Sequence, residues 1–247
     1  MSRSTPLSAL AGVRACVFDI FGTVVDWHGS VAREAQAFAA ARGLRLDGAA
    51  FAEAWRAGYQ PAMQQVRSGA LPWTTIDGLH RRILDDLWPR FGLPDDVPEA
   101  DRAHLNLVWH RLDPWPDSAP GLAALRRRVP CATLSNGNVS LLVDLARHGG
   151  LDWDAVFSAE LFGHYKPDPE VYLGACRLLG LPPASVLMVA AHPSDLRAAA
   201  ACGLRTAYIP RPDEHGPGGP TEPWTPGEFD TVAEGLEALA QQIVAAT

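Results

Sequence analysis

The stretch Ala15-Cys16-Val17-Phe18-Asp19-Ile20-Phe21-Gly22-Thr23 decides the fold. A short apolar run ends abruptly in a carboxylate and is followed by a Gly-Thr pair. An uninterrupted apolar run bounded by turn residues reads as a strand covered on both faces. Comparable runs stand at 131–134, 155–157, 186–189 and 206–209, and helical patterns fall at 121–128, 139–148, 169–179 and 196–202. Gly149, Gly180 and Gly203 sit where three of those helices should stop, as glycine does just past a helix C-terminus. Alternation of this kind predicts an α/β fold with a parallel sheet between helical layers. A last helix is expected over 232–244, with Val232, Leu236, Leu239, Ile243 and Val244 on one stripe.

Outward from this rhythm, 26–115 contains helical patterns at 31–42, 49–59 and 75–91 but no clear strand. It reads as a helical insertion between the first strand and the rest of the sheet, giving a core of 1–25 plus 116–247. Five tryptophans from Trp55 to Trp115 are expected to fill this insertion, Trp73 being the one that could serve a site. Prolines and glycines interrupt every turn of 210–227, so that segment is expected to be a surface loop with His215 solvated. The four cysteines show no C-x-x-C spacing and read as small buried residues.

Composition narrows the function. Of 247 residues, 47% are hydrophobic and 20% charged, as in ordinary globular chains, and the net charge is −7. Nucleic acids and anionic membranes recruit Lys/Arg excess, so neither is an expected partner. Met1 to Leu10 carries no apolar stretch suited to a signal sequence, and no segment approaches the roughly 20 apolar residues of a membrane span. The cytoplasm is the expected location.

The ends of the strands carry the chemistry. Asp19 and Thr23 follow the first, Ser135 and Asn136 the second, Lys166 precedes Pro167-Asp168, and His192 and Asp195 follow 186–189. Ligands of open parallel sheets bind outside the carboxyl ends of the strands. Singly, each residue could be a helix cap. Together, Asp19-x-x-Gly22-Thr23, Leu134-Ser135-Asn136-Gly137, Lys166-Pro167-Asp168 and Asp195 resemble, in order, the four motifs of the haloacid dehalogenase superfamily. That resemblance implies a Rossmann-like core, with the insertion acting as a cap.

The phosphatases of that superfamily carry Asp-x-Asp and a final pair of acids for Mg²⁺. Here Phe21 fills the second position and Asp195 is the only acid of 190–195. Phe21 cannot shuttle a proton, and two carboxylates are a lean Mg²⁺ site. A halide leaves without protonation. The closest resemblance is to the type II L-2-haloacid dehalogenases, through Phe21, Trp55-Arg56, Leu134 to Gly137, and Lys166 to Tyr172. It implies hydrolysis of short (S)-2-haloalkanoic acids to (R)-2-hydroxy acids without a metal or cofactor. A Mg²⁺-dependent phosphatase remains the alternative, and relatives that open strained rings are also known.

By resemblance, Asp19 attacks the substrate Cα and forms an ester that water then hydrolyses. Arg56 and Asn136 receive the halide, while Ser135 and backbone N–H groups such as that of Ile20 hold the substrate carboxylate. Lys166 keeps Asp19 ionised, Asp195 positions the water, Thr23 and Tyr172 buttress these groups, and Trp73 walls the pocket. The sequence departs from the familiar pattern at Ala190 and His192, where such dehalogenases carry Ser and Asn. A bulkier His192 and a narrowing Trp73 would favour a compact halide, hence fluoroacetate. The expected partner is a small anionic haloacid, and dimers are frequent among similar proteins.

Overall fold

The computed structural model describes residues 10–246, so the reading of the extreme N-terminus lies outside the described residues. In chain order the elements are β1 (Ala15–Phe18), β2 (Val25–Asp26), α1 (Trp27–Ala40), α2 (Gly48–Ala57), α3 (Tyr59–Arg67), α4 (Ile76–Leu87), α5 (Glu99–Asn106) and β3 (Asp113–Pro114). They continue with α6 (Ser118–Arg126), β4 (Cys131–Ser135), α7 (Val139–Gly149), β5 (Ala155–Ser158), α8 (Pro169–Leu179), β6 (Val186–Ala190), α9 (Pro193–Ala201), β7 (Arg205–Tyr208), β8 (Thr231–Val232) and α10 (Leu236–Ala246).

Six strands form one sheet in the order β5-β4-β1-β6-β7-β8, and its paired neighbours run parallel. β1, β4 and β6 are buried along their whole length. Their continuous Val, Leu, Ala and Cys runs match a sheet covered on both faces, because no residue of such a strand faces water. β1 is flanked by β4 on one side and β6 on the other. The chain order reverses there, so Asp19 emerges at the crevice where such sheets bind ligands.

Between β1 and β4 the chain detours through α1 to α5. It leaves along β2 and returns along β3, and these two short strands pair antiparallel, Val25 with Pro114 and Asp26 with Asp113. Asp26 caps α1 by accepting from the Gly29 N–H at 2.8 Å, which satisfies one of the helix's orphan donors. Inside the detour Trp27, Trp55, Trp88 and Trp109 are fully buried. Trp27 stacks on Trp109 at 6.3 Å, and Trp55 meets Trp109 edge to face at 5.6 Å, the arrangement that aromatic quadrupoles favour.

The expected elements differ from the structure in four places. The 232–244 pattern divides into β8, a turn and α10, because Val232 joins the sheet beside Tyr208. The short strands β2 and β3 gave no sequence signal at all. α3 starts directly after Gly58 and carries Pro61 in its first turn, where the missing N–H has no intrahelical partner to lose. α5 is mostly polar, with only Leu105 and Asn106 buried.

Candidate active site

At the end of β1, Asp19 is 7% exposed and makes contacts from three directions. Thr23 Oγ1 donates to Asp19 Oδ2 at 2.7 Å, and the Ala191 N–H donates to Thr23 Oγ1 at 2.8 Å. Thr23 thus ties the loops after β1 and β6 together. Gly22 is what lets that turn form: its φ of +81° lies in the left-handed region, and a Cβ there would stand 2.1 Å from Glu214 Oε1. Any L side chain would be both strained and blocked.

Lys166 Nζ lies between two carboxylates, 2.8 Å from Asp19 Oδ1 and 2.6 Å from Asp195 Oδ2. The Tyr172 hydroxyl donates to the other oxygen of Asp195. Asn136 fixes the backbone of Lys166, its Oδ1 accepting from the Lys166 N–H at 2.7 Å. Ser135 is fully buried and its Oγ accepts from the Gly137 N–H at 3.2 Å. Burial works to raise the pKa of Asp19, but the Lys166 ammonium and His192 outweigh it and hold the carboxyl far below its usual range. For Lys166 burial acts downward, and Asp19 and Asp195 more than compensate, so the amine stays protonated.

His192 completes the contacts of Asp19. Its Nδ1 is 3.1 Å from Asp19 Oδ2, and its Nε2 is 2.9 and 3.1 Å from the two oxygens of Glu214. Glu214 comes from the proline-rich segment after β7, is 6% exposed, and also accepts from Trp27 Nε1 at 3.0 Å. Burial would lower the His192 pKa, yet the Glu214 charge and the bonds to Asp19 and Glu214 push it up to about 10. For Glu214 burial acts upward, and His192 overrides it and lowers the pKa.

Arg56, on α2, lies among aromatic rings, its Cζ 4.4 Å from the Tyr59 ring centroid and 5.4 Å from that of Trp27. Its Nη1 is buried with no hydrogen-bond partner among the described residues. A buried guanidinium N–H without a partner is a donor of the kind that suits an anion. Close by, His80 is fully enclosed and stacked on Trp109 at 4.1 Å; burial and the neighbouring Arg56 and His110 hold its pKa well below the ordinary value, so it adds no charge.

Asp19, Thr23, Lys166, Tyr172, His192 and Asp195 therefore form one hydrogen-bonded group, with Asn136 bracing it. Ile20 is buried and its carbonyl is taken by the Val24 and Val25 amides, leaving its N–H as the polar group it could offer. Trp73 is not a wall of this group. It is 38% exposed and lies against Tyr165 at 4.6 Å, whose hydroxyl donates to the Thr74 carbonyl. Trp27 and Tyr59 supply the aromatic wall. Sequence reasoning missed Glu214, since a lone acid in a Pro/Gly-rich loop carries no periodic or motif signal, and it missed Trp27 and Tyr59. His215, expected in solvent, is partly buried against Trp27 at 5.1 Å and 3.2 Å from Glu53.

Among the described residues no helix is long and apolar enough to cross a membrane. Known proteins of similar sequence or structure identify the family. Residues 13–203 match the family described as haloacid dehalogenase-like hydrolase. The chain is 32% identical over 212 residues to (S)-2-haloacid dehalogenase 1 of Pseudomonas sp. (strain CBS-3), covering 81% of this chain and 85% of that protein. The crystal structure of an L-2-haloacid dehalogenase superposes with a TM-score of 0.90 at 48% identity, covering 94% of this chain and 99% of the other. That of a defluorinating L-2-haloacid dehalogenase gives 0.91 at 42% identity, covering 99% and 100%. With its parallel sheet, its motif residues gathered at the strand ends and its matched length, this chain belongs to the haloacid dehalogenase-like hydrolases.

Proposed function

We propose that the protein hydrolyses the carbon–halogen bond of short (S)-2-haloalkanoic acids, giving (R)-2-hydroxy acids through an ester on Asp19. The observation that carries this reading is the pairing of an ionised, buried Asp19 with an anion-ready Arg56 on the helices α1–α5, which act as a cap. A carboxylate stripped of water and held by Lys166 at 2.8 Å stays anionic yet nucleophilic. Its attack on Cα inverts the centre and expels halide, whose charge develops toward the unspent donor of Arg56. Asn136 joins Arg56 at the halide, and Ser135 with the Ile20 N–H takes the substrate carboxylate on the core side. Phe21 in place of the second acid, and Asp195 as the only acid of 190–195, favour this reading over the phosphatase alternative.

Fluoroacetate belongs among the substrates. Fluoride is the smallest and most basic halide and leaves from a strong, short bond, so its departure needs donors pressed close, and Arg56 is framed by the rings of Trp27 and Tyr59. Likeness to a defluorinating relative supports the same assignment. The test is halide release from fluoroacetate, chloroacetate and both enantiomers of 2-chloropropionate, run beside phosphate release from phosphoglycolate. Halide from the (S) acid and from fluoroacetate is expected; phosphate release with no halide would overturn the assignment.

A further inference from the structure

His192 and Glu214 are arranged for more than holding the nucleophile in place. Glu214 is set by three contacts: His192, Trp27 Nε1 and the bare backbone of Gly22. A carboxylate on Nε2 fixes the imidazole so that Nε2 bears a hydrogen and Nδ1 faces Asp19. The acid expected to handle the hydrolytic water, Asp195, is differently employed, one oxygen on Lys166 and the other on Tyr172. Burial raises the pKa of Asp195, so what sets it apart from His192 is engagement and not basicity: each of its oxygens already accepts a hydrogen bond, whereas Nδ1 of His192 stands 3.1 Å from Asp19 itself.

We propose that His192 is the general base of ester hydrolysis and that Glu214, supplied by the 210–227 loop, is its positioning residue. The inference rests on the aspartyl-ester reading above. In the resting enzyme Asp19 and Glu214, both anionic, keep His192 protonated; of the nearby cations, Lys166 is bonded to Asp19 and the charge of Arg56 acts on Glu214. Attack on the substrate turns the Asp19 carboxylate into a neutral ester. One of the two charges holding the proton then vanishes, and His192 releases it to solvent. A cavity of about 590 Å³, lined in part by Ala191, His192, Glu214, Tyr208 and Trp224, gives the imidazole that outlet.

Neutral Nδ1 next takes a proton from water as the water oxygen bonds to the Asp19 carbonyl carbon. The tetrahedral oxyanion collapses, the C–O bond to the substrate breaks, and the departing alkoxide takes the proton from Nδ1. Asp19 is left as a carboxylic acid, which passes its proton to His192 and restores the resting pair. The net reaction is halide, hydroxy acid and one proton from haloacid and water. His192 is thus an acid-side partner of Asp19 in the first step and a base in the second, switched by the ester itself.

Single-turnover rapid quench with excess enzyme and (S)-2-chloropropionate, read by intact-protein mass, separates the two steps. In Glu214→Gln the ester should form within about threefold of the wild-type rate and decay on the order of 10- to 100-fold more slowly, as expected when a side chain that orients another is lost. His192→Asn should slow decay by roughly 100-fold or more, and Glu214→Asp should recover part of the loss. The pH dependence of ester decay should rise to a plateau whose midpoint moves to lower pH in Glu214→Gln, because the imidazole has lost its anionic neighbour. Unchanged decay in Glu214→Gln, or an equal fall in both steps with no movement of the midpoint, would overturn the proposal. Halide release with no ester in any variant would instead defeat the aspartyl-ester reading beneath it.

Discussion

At the scale of single residues, the site is a set of charges that settle each other's protonation. Asp19 is ionised because Lys166 and His192 flank it, and His192 is charged because Asp19 and Glu214 do the same. His192 therefore carries a folded-state pKa of about 10 against roughly 6.5 when unfolded. A group raised in this way stabilises the fold fully below its unfolded pKa and loses that contribution as pH climbs through the folded value. Urea midpoints of wild type should thus fall more steeply than those of His192→Asn between about pH 6.5 and 10. Parallel curves would mean that His192 is not held protonated. Gly22→Ala joins a positive φ to a collision with Glu214, so it should cost at least about 1–2 kcal/mol by chemical denaturation and weaken catalysis as well; an unchanged midpoint would contradict the packing of Glu214 over this turn. Of these residues Asp19, Thr23, Lys166 and Asp195 were legible because their order and spacing resemble the superfamily's four motifs, Asp19 and Asp195 following strands and Lys166 preceding Pro167-Asp168. Glu214 was not, because only tertiary folding brings position 214 beside position 22.

At the scale of elements, the 210–227 segment changes its meaning most between sequence and structure. Its prolines and glycines exclude helix and central strand, and the structure agrees. What composition could not tell is that this loop is anchored. Arg211 forms a two-pronged pair with Asp117 at 2.7 and 2.9 Å and donates to the Thr23 carbonyl at 3.0 Å. The same Asp117 accepts from the Leu236 N–H. The start of α6, the turn after β1, the loop and α10 are thus locked by one carboxylate and one guanidinium. Arg211→Lys keeps the charge but loses the planar fork. It should raise amide hydrogen exchange across 211–216 and lower turnover by roughly tenfold through misplacement of Glu214, as loss of an orienting contact does. Normal exchange and turnover would return the loop to mere covering. α3 and α5 escaped the sequence reading for local reasons: Gly58 and Pro61 mimic a break, and α5 has too few apolar residues to draw a stripe. Five of the six sheet strands were legible, most plainly β1, β4 and β6, where burial on both faces leaves an unbroken apolar run; β8, two residues long, was read into the last helix.

At the scale of the whole molecule, the helical block α1–α5 is fastened over the strand ends by polar ties as well as by aromatic packing. His110 lies 2.8 Å from Asp144 of α7 and 3.0 Å from Asp77 of α4, and Asn138 donates to Asp77 at 2.8 Å. Arg67 pairs with Asp168 just before α8. These ties join the helical block to the core, and the proposed reaction relies on the burial of Asp19, since a hydrated carboxylate would lose nucleophilicity. With Lys166 as the internal counter-ion, halide release should survive exhaustive dialysis against EDTA, and activity abolished by EDTA and restored by Mg²⁺ would move the protein to the phosphatase side of its family. The central claim is covalent catalysis by Asp19. The most direct measurement is a single turnover with excess enzyme in H₂¹⁸O, followed by peptide mass analysis of the segment containing Asp19 and of the hydroxy acid. Label in the Asp19 side chain, with an unlabelled product, is the predicted result; label in the hydroxy acid and none in Asp19 would show that water attacks the substrate directly and would contradict the account.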